Sequence, residues 1–313
     1  MKIPKLRTKD FISVADLSKS EIFSIYEFTT YLKNNFKKGK FKDYLNKKTL
    51  AMIFEKSSTR TRVSFEAGVA QLGGHALFLS GADIQIGRGE TIADTARTLS
   101  RYVNGIMIRT FNHDTVEELA EHASIPVING LTDLLHPCQA LADFYTIYER
   151  EKSLDGVKLA YVGDSTNVAN SLMVNAAVLG IDISVASPNK YKPSDDILLK
   201  SQEIAKDSGS DIIITTDIDE AVNNANYIYT DVWVSMGQEK QASRRKKTLS
   251  KYRITWKVLE KCAPGCMVMH CLPAHRGEEI DAEVLDSYRS IVFDQAENRM
   301  HVQNAVMCSL MYY

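Results

Sequence analysis

The sequence predicts an α/β protein made of two doubly wound domains, each with a parallel central sheet flanked by helices. Three observations predict it. Short apolar runs of strand type alternate with amphipathic runs of helical spacing along the chain. The residues that follow those apolar runs are polar, as expected where the carboxyl ends of parallel strands hold ligands. At 313 residues with 44% hydrophobic content, the chain is long for one core and comfortable for two.

The elements follow in order. A helix near 17–35 precedes the strand TLAMIF (49–54), and TRVSFEAGVAQLGG spaces Val63, Phe65, Val69 and Leu72 as a helix does over 61–73. HALFLS, GIMIRT and IPVING read as strands, and a helix starts at Pro137, a residue suited to the first helical position. A second series follows: VKLAYVG (157–163), a helix over 167–179, DISVASP, a helix over 194–207, then DIIITT, NYIYTDVW, CMVMHCLP and SIVFDQ as strands. The last helix (298–313) returns to the first domain, so the domains are expected at 1–149 plus 298–313 and at 150–297. The charged segment GQEKQASRRKKTLSKYR (237–253) interrupts the second domain and reads as a solvated helix or as a flap beside a site.

Composition excludes several classes. A net charge of −1 provides no global field for nucleic acid or an anionic membrane, so any phosphate recognition must be local. The basic start MKIPKLRTKDFISVADL leads into no apolar segment of a targeting sequence, and no run approaches a membrane span, so a cytoplasmic protein is expected. Five cysteines, an odd number in a chain of this length, suit reduced thiols better than a disulfide framework.

The densest local signal is SSTRTR, in which Ser57, Ser58, Thr59, Arg60, Thr61 and Arg62 stand at a strand-to-helix turn. The first N–H groups of a helix lack partners and carry partial positive charge; hydroxyls that cap them and an arginine that forks make an anion site, with phosphate as the expected guest. Arg60 and Arg62 lie about 200° apart on a helix, so one faces the anion, and Arg62 has Glu66 as a partner. Arg109 follows the strand GIMI, and HPCQ places His136 at a helix cap with Gln139 in its first turn. Beside two anion-type positions, His136 becomes a candidate donor to a carbonyl oxygen next to a phosphate.

The second series carries different chemistry. DSTNVANS follows VKLAYVG, and Asp231, Trp233, Ser235 and Met236 follow NYIYT; an acid among polar loop atoms suits an amine. CMVM leads into HCLPAHRGEE, with Cys271 at a strand end and Leu272–Pro273 open to either isomer. His270, Cys271 and His275 match the spacing of no closed zinc site. A dinucleotide fold is disfavoured, because GDSTNV replaces G-x-G-x-x-G and Ser187–Pro188 stands where an acidic ribose partner is expected.

Together SSTRTR, HPCQ, DVWVSMG, HCLPAHRGEE and FDQAENRM, in this order over most of the chain, resemble the ornithine carbamoyltransferases within the aspartate/ornithine carbamoyltransferase superfamily. The chain departs from the usual pattern at Ser57, where proline is common. The resemblance implies that Ser58, Thr59, Arg60 and Thr61 hold the phosphate of carbamoyl phosphate, with Arg109, His136 and Gln139 reaching its phosphate and carbamoyl oxygens. Arg299 would complete that pocket. Asn167, Asp231, Ser235 and Met236 would hold the α-amino and α-carboxylate groups of L-ornithine, and Cys271 and Leu272 would lie beside the reacting δ-amine and carbamoyl group. SMG with HCLP points to ornithine rather than aspartate, putrescine or acetylated ornithine. Gln85, in SGADIQIGRGE, would come from a neighbouring subunit of a homotrimer. The implied reaction needs no metal or organic cofactor and no nucleic acid or membrane partner. Asp231 with Cys271 is the pair expected to influence deprotonation of the amine, and the retention of His136, Gln139 and Cys271 argues against a non-catalytic binding protein.

Overall fold

The computed structural model describes residues 1–86, 89–235, 237 and 239–313. The chain divides into two compact units, Met1–Tyr145 with Asn298–Tyr313, and Thr146–Glu297.

In the first unit, α1 (Lys19–Lys37) begins with a capping box in which Ser18 and Glu21 satisfy each other's backbone N–H groups. Then come β1 (Thr49–Phe54), α2 (Thr59–Gln71), β2 (His75–Ser80), α3 (Ile92–Tyr102), β3 (Gly105–Arg109), α4 (His113–His122), β4 (Val127–Leu131) and α5 (Pro137–Glu151), which runs on into the second unit. The strands pair in parallel in the order β2-β1-β3-β4. β1 and β3 are central and read as continuous apolar runs because helices cover both faces. Ala51, Ile53, Ile106, Ile108, Val116 and Leu119 pack together in the core, each large aliphatic side chain contributing roughly 1.5–3 kcal/mol on burial. β2 is one edge strand of this sheet, and Leu77 and Phe78 stay exposed on it.

The second unit contains β5 (Lys158–Val162), α6 (Asn167–Leu179), β6 (Asp182–Ala186), α7 (Asp195–Ser208), β7 (Ile212–Thr215), α8 (Ile218–Val222), β8 (Tyr227–Thr230), α9 (Ala242–Leu249), α10 (Trp256–Leu259), β9 (Met267–His270) and α11 (Ala282–Leu285). Its parallel order is β7-β6-β5-β8-β9. Gly180 and Gly209 end α6 and α7 at φ 76 and φ 80, a left-handed cap that a side chain would strain. The last helix, α12 (Val292–Met311), passes from the second unit back into the first.

The α/β reading is met in both units, with one correction. SIVFDQ is not a strand: Ser290 makes a single parallel bridge to Val268 of β9, and α12 begins two residues later. Buried Ile291, Val292, Gln295, Asn298, Arg299 and Val302 follow helical spacing, whereas Phe293 and Asp294 are exposed.

Each sheet reverses its winding once. In the first unit the chain leaves β1 for β2 on one side and returns to β3 on the other; in the second it leaves β5 for β6 and returns to β8. The loops after β1 and β3, and those after β5 and β8, therefore border the crevices in which open α/β sheets bind ligands.

Candidate active site

The first switch point is organised around Thr61. Ser58 caps α2, its Oγ accepting the Thr61 N–H at 3.1 Å and donating to Thr61 Oγ1 at 2.9 Å. Arg109, at the end of β3, donates to Thr61 Oγ1 from Nη1 at 3.4 Å. Arg299 reaches the same oxygen from α12 with Nη2 at 2.7 Å and donates from Nη1 to Gln139 Oε1 at 3.1 Å. Gln139 is oriented in turn, its Nε2 donating to Asp143 Oδ1 at 2.8 Å. Thr59 is exposed and Arg60 half-buried in the first turn of α2. Arg62 points elsewhere, pairing with Glu66 at 3.0 Å and lying over the Phe78 ring at 3.7 Å.

His136 is buried beside this cluster. Burial first, then the positive charges of Arg299, Arg109 and Arg60, hold its pKa well below the ordinary 6.5, so the imidazole is neutral at neutral pH. Three guanidiniums around a neutral ring concentrate positive charge at this point. The neighbouring Cys138 is no nucleophile, since burial pushes its thiol up to about 12.

At the second switch point Asp231 follows β8 and is buried. Its Oδ1 accepts the Val232 N–H at 2.8 Å and the Cys271 thiol at 3.0 Å. Tyr161 lies close by: burial, then the proximity of Asp231 and Cys271, hold its phenol well above its ordinary pKa, so it stays protonated. Asn167 opens α6 and, like Ser235, is half-buried. Met236 lies outside the described residues.

Buried hydrogen bonds fix the turn carrying Cys271 and Leu272. The His270 N–H donates to Gln295 Oε1 at 2.9 Å, and the Leu272 N–H donates to His270 Nδ1 at 2.9 Å. The other ring nitrogen of His270, Nε2, faces Glu279 Oε1 at 3.3 Å. Glu279 also accepts the His275 N–H at 2.5 Å. Leu272 has φ 60, and the Leu272–Pro273 bond is cis. Asp231, His270 and Cys271 come within metal-ligand reach of one another, but both ring nitrogens of His270 are engaged in this turn.

Gln85 is exposed on the loop after β2 and is not among the described side chains that meet at Thr61. Two residues with roles here were not singled out from the sequence. Lys56, just after β1, is buried, pairs with Asp133 and lies over the Phe111 ring at 4.2 Å, tying the loop after β1 to the loop before His136. Its position at a strand end was the available signal. Arg245 of α9 is buried in an ion pair with Asp164, and no pattern separates it from the exposed basic residues around it.

Two family models match the chain: the carbamoyl-P binding domain of aspartate/ornithine carbamoyltransferase over residues 9–149, and the Asp/Orn binding domain over residues 155–310. The chain belongs to the aspartate/ornithine carbamoyltransferase family. It is 54% identical to an ornithine carbamoyltransferase of Oceanobacillus iheyensis over 307 residues, 98% of this chain and 95% of that one. A second relative of that name, from Anoxybacillus flavithermus, is 53% identical and covers 98% of each chain. Among solved structures, ornithine carbamoyltransferase from Pyrococcus furiosus superposes with a TM-score of 0.94 at 49% identity over 99% of both chains. The Thr61 cluster lies within the segment matched by the carbamoyl-P model, apart from Arg299, which reaches it from the other matched segment. Asp231 and Cys271 lie within the Asp/Orn segment.

Proposed function

We propose that this member of the family transfers the carbamoyl group of carbamoyl phosphate to the δ-amine of L-ornithine, giving L-citrulline and phosphate. The observation that carries the proposal is the convergence of Arg60, Arg109 and Arg299 around a neutral His136 and the capped N-terminus of α2. Phosphate meets the chemistry of that cluster, with backbone N–H groups and hydroxyls at Ser58, Thr59 and Thr61 and planar forks from the arginines. Gln139 and His136 serve the carbamoyl oxygen, where negative charge grows as the amine attacks. A neutral imidazole can donate there without first binding a proton, and the guanidiniums support the departing phosphate.

On the acceptor side, Asp231 pairs with the α-ammonium of ornithine, with Asn167, Ser235 and Met236 around the α-substituents. The Asp231–Cys271 contact supports a role for this pair near the amine, whose free pKa of roughly 10.4 requires either selection of the neutral form or help in losing a proton. Leu272, displayed with Cys271 by the turn that His270 and Glu279 hold, lies beside the carbamoyl group and the δ-amine. No cofactor takes part in this scheme. Positioning of two reactants carries much of the rate.

The enzyme works as a cytoplasmic homotrimer in which Gln85 serves a neighbouring subunit's site. Exposed Val63, Leu77 and Phe78, on α2 and the edge strand beside that loop, support a covered face there. Among the described residues no helix is long and apolar enough to cross a membrane. The test is stoichiometry: purified protein given carbamoyl phosphate and ornithine should release phosphate and citrulline in equal amounts, and phosphate release without citrulline would refute transfer to ornithine.

A further inference from the structure

The segment after Ser235 is strongly basic, and Arg244, Lys246 and Lys247 of α9 are exposed as a solvated helix requires. Arg245 is not. It is 6% exposed and pairs with Asp164, which is 4% exposed. Its Nε also donates to the Trp233 carbonyl at 2.8 Å, and its guanidinium lies over the Tyr191 ring at 4.6 Å. Four residues on, and so on the same face of α9, Leu249 is fully buried in a cluster with Tyr191 and Trp233.

The two ends of this contact matter. Asp164 sits just past β5, where its carbonyl accepts the Tyr161 hydroxyl at 2.7 Å and the Thr166 N–H at 2.8 Å, immediately before Asn167 opens α6. Trp233 lies between Asp231 and Ser235 in the loop past β8. One guanidinium therefore joins the two loops that flank the switch point of this sheet. A buried ion pair is a weak source of stability, because desolvating both charges offsets most of their attraction, and an apolar pair of similar volume would serve the fold as well. What a forked, planar pair adds is a fixed register.

We infer that Arg245 and Asp164 are positioning residues that hold the loop after β8 in register with the loop after β5, and so set the affinity for the amino-acid acceptor. The inference rests on the assignment of ornithine to Asp231. The pair is assigned no contact with substrate; it acts through the Trp233 carbonyl and the Asp164 turn.

The test compares three variants of the full enzyme by steady-state kinetics in both substrates and by thermal unfolding. Asp164→Asn/Arg245→Gln removes both charges and strands neither. It should raise the ornithine KM at least about tenfold and leave the carbamoyl phosphate KM within about twofold, the signature of lost acceptor binding. Arg245→Lys, which keeps the charge but loses the fork, should fall between the double variant and the parent, and it carries the test if the double variant does not fold. Binding of norvaline, which is ornithine without the δ-amine, should weaken in parallel, separating acceptor affinity from chemistry. A folded double variant with an unchanged ornithine KM, or with both KM values raised alike, overturns the inference. Asp231→Asn is the control. If it raises the ornithine KM while the Asp164/Arg245 variants do not, the clamp alone fails; if Asp231→Asn leaves the ornithine KM unchanged, the acceptor assignment itself fails.

Discussion

A guanidinium and an ammonium carry the same charge, but only the guanidinium presents a planar fork, and Arg109 meets Thr61 Oγ1 through one of its terminal nitrogens. Arg109→Lys should therefore fold normally and lose about 10- to 100-fold in kcat/KM for carbamoyl phosphate, the cost of one or two charge-assisted hydrogen bonds. Near-parental rates at low carbamoyl phosphate would remove Arg109 from the site. His136 makes a prediction about pH. Its folded pKa lies below the ordinary 6.5, so on acidification the unfolded chain takes up this proton before the folded one does. Stability then falls as pH drops from about 6.5 toward the folded value, by at most ~1.4 kcal/mol per pH unit from this residue, and His136→Gln should flatten that part of the curve. Denaturant titrations between pH 7 and 5 check it, and parallel slopes would contradict it. The sequence singled out residues whose type announces their chemistry, such as the hydroxyl and arginine row, Arg109 and the HPCQ cap, and the fold brings Ser58, Thr61, Arg109 and Gln139 into one cluster with Arg299. Lys56 and Arg245 stayed hidden because a lysine or arginine that is buried against one distant acid looks like any surface cation until the fold supplies the acid.

Helices and strands brought these residues together by a rule that the sequence already suggested: polar residues past the carboxyl ends of parallel strands. The winding order could not be read, because nothing in β1 or β5 marks it as the strand at which the sheet reverses; pairing order depends on packing across many segments. SIVFDQ shows the complementary failure. Its apolar run Ile291–Val292–Phe293 resembles a strand, but the buried positions continue at helical spacing through Arg299, so the segment belongs to the helix that carries Arg299 to Thr61. How closely α12 seats against α2 is testable at Gly68, where an added Cβ would collide with the side-chain oxygen of buried Asn304. Gly68→Ala should lower stability by about 1–3 kcal/mol through overpacking and also raise the carbamoyl phosphate KM, since Asn304 lies on the helix that places Arg299 over Thr61. Destabilisation with unchanged carbamoyl phosphate kinetics would mean that Arg299 does not depend on this contact.

For the whole molecule, the proposed trimer predicts complementation. Arg109→Ala and Gln85→Ala chains, each nearly inactive alone, should regain activity when co-assembled, because a site can draw Arg109 from one chain and Gln85 from the next. In a closed ring of three, random equal mixing makes three quarters of the trimers mixed, each with one intact site in three, so recovery should reach about a quarter of the parental activity. Differently tagged chains verify the exchange, and verified hybrids as inactive as their parents would end the shared-site model. Within the first unit the arginine and hydroxyl cluster suits a phosphate, and within the second the loop acid beside Cys271 suits an amino acid. The most direct measurement is carbamoyl transfer to ornithine, putrescine, N-acetylornithine and aspartate, offered in parallel at equal concentration. Product is expected with ornithine at a kcat/KM at least about a hundredfold above the other three, since putrescine lacks the α-carboxylate, N-acetylornithine blocks the α-ammonium and aspartate has no terminal amine to accept the group. Equal or faster transfer to any of the others would contradict it.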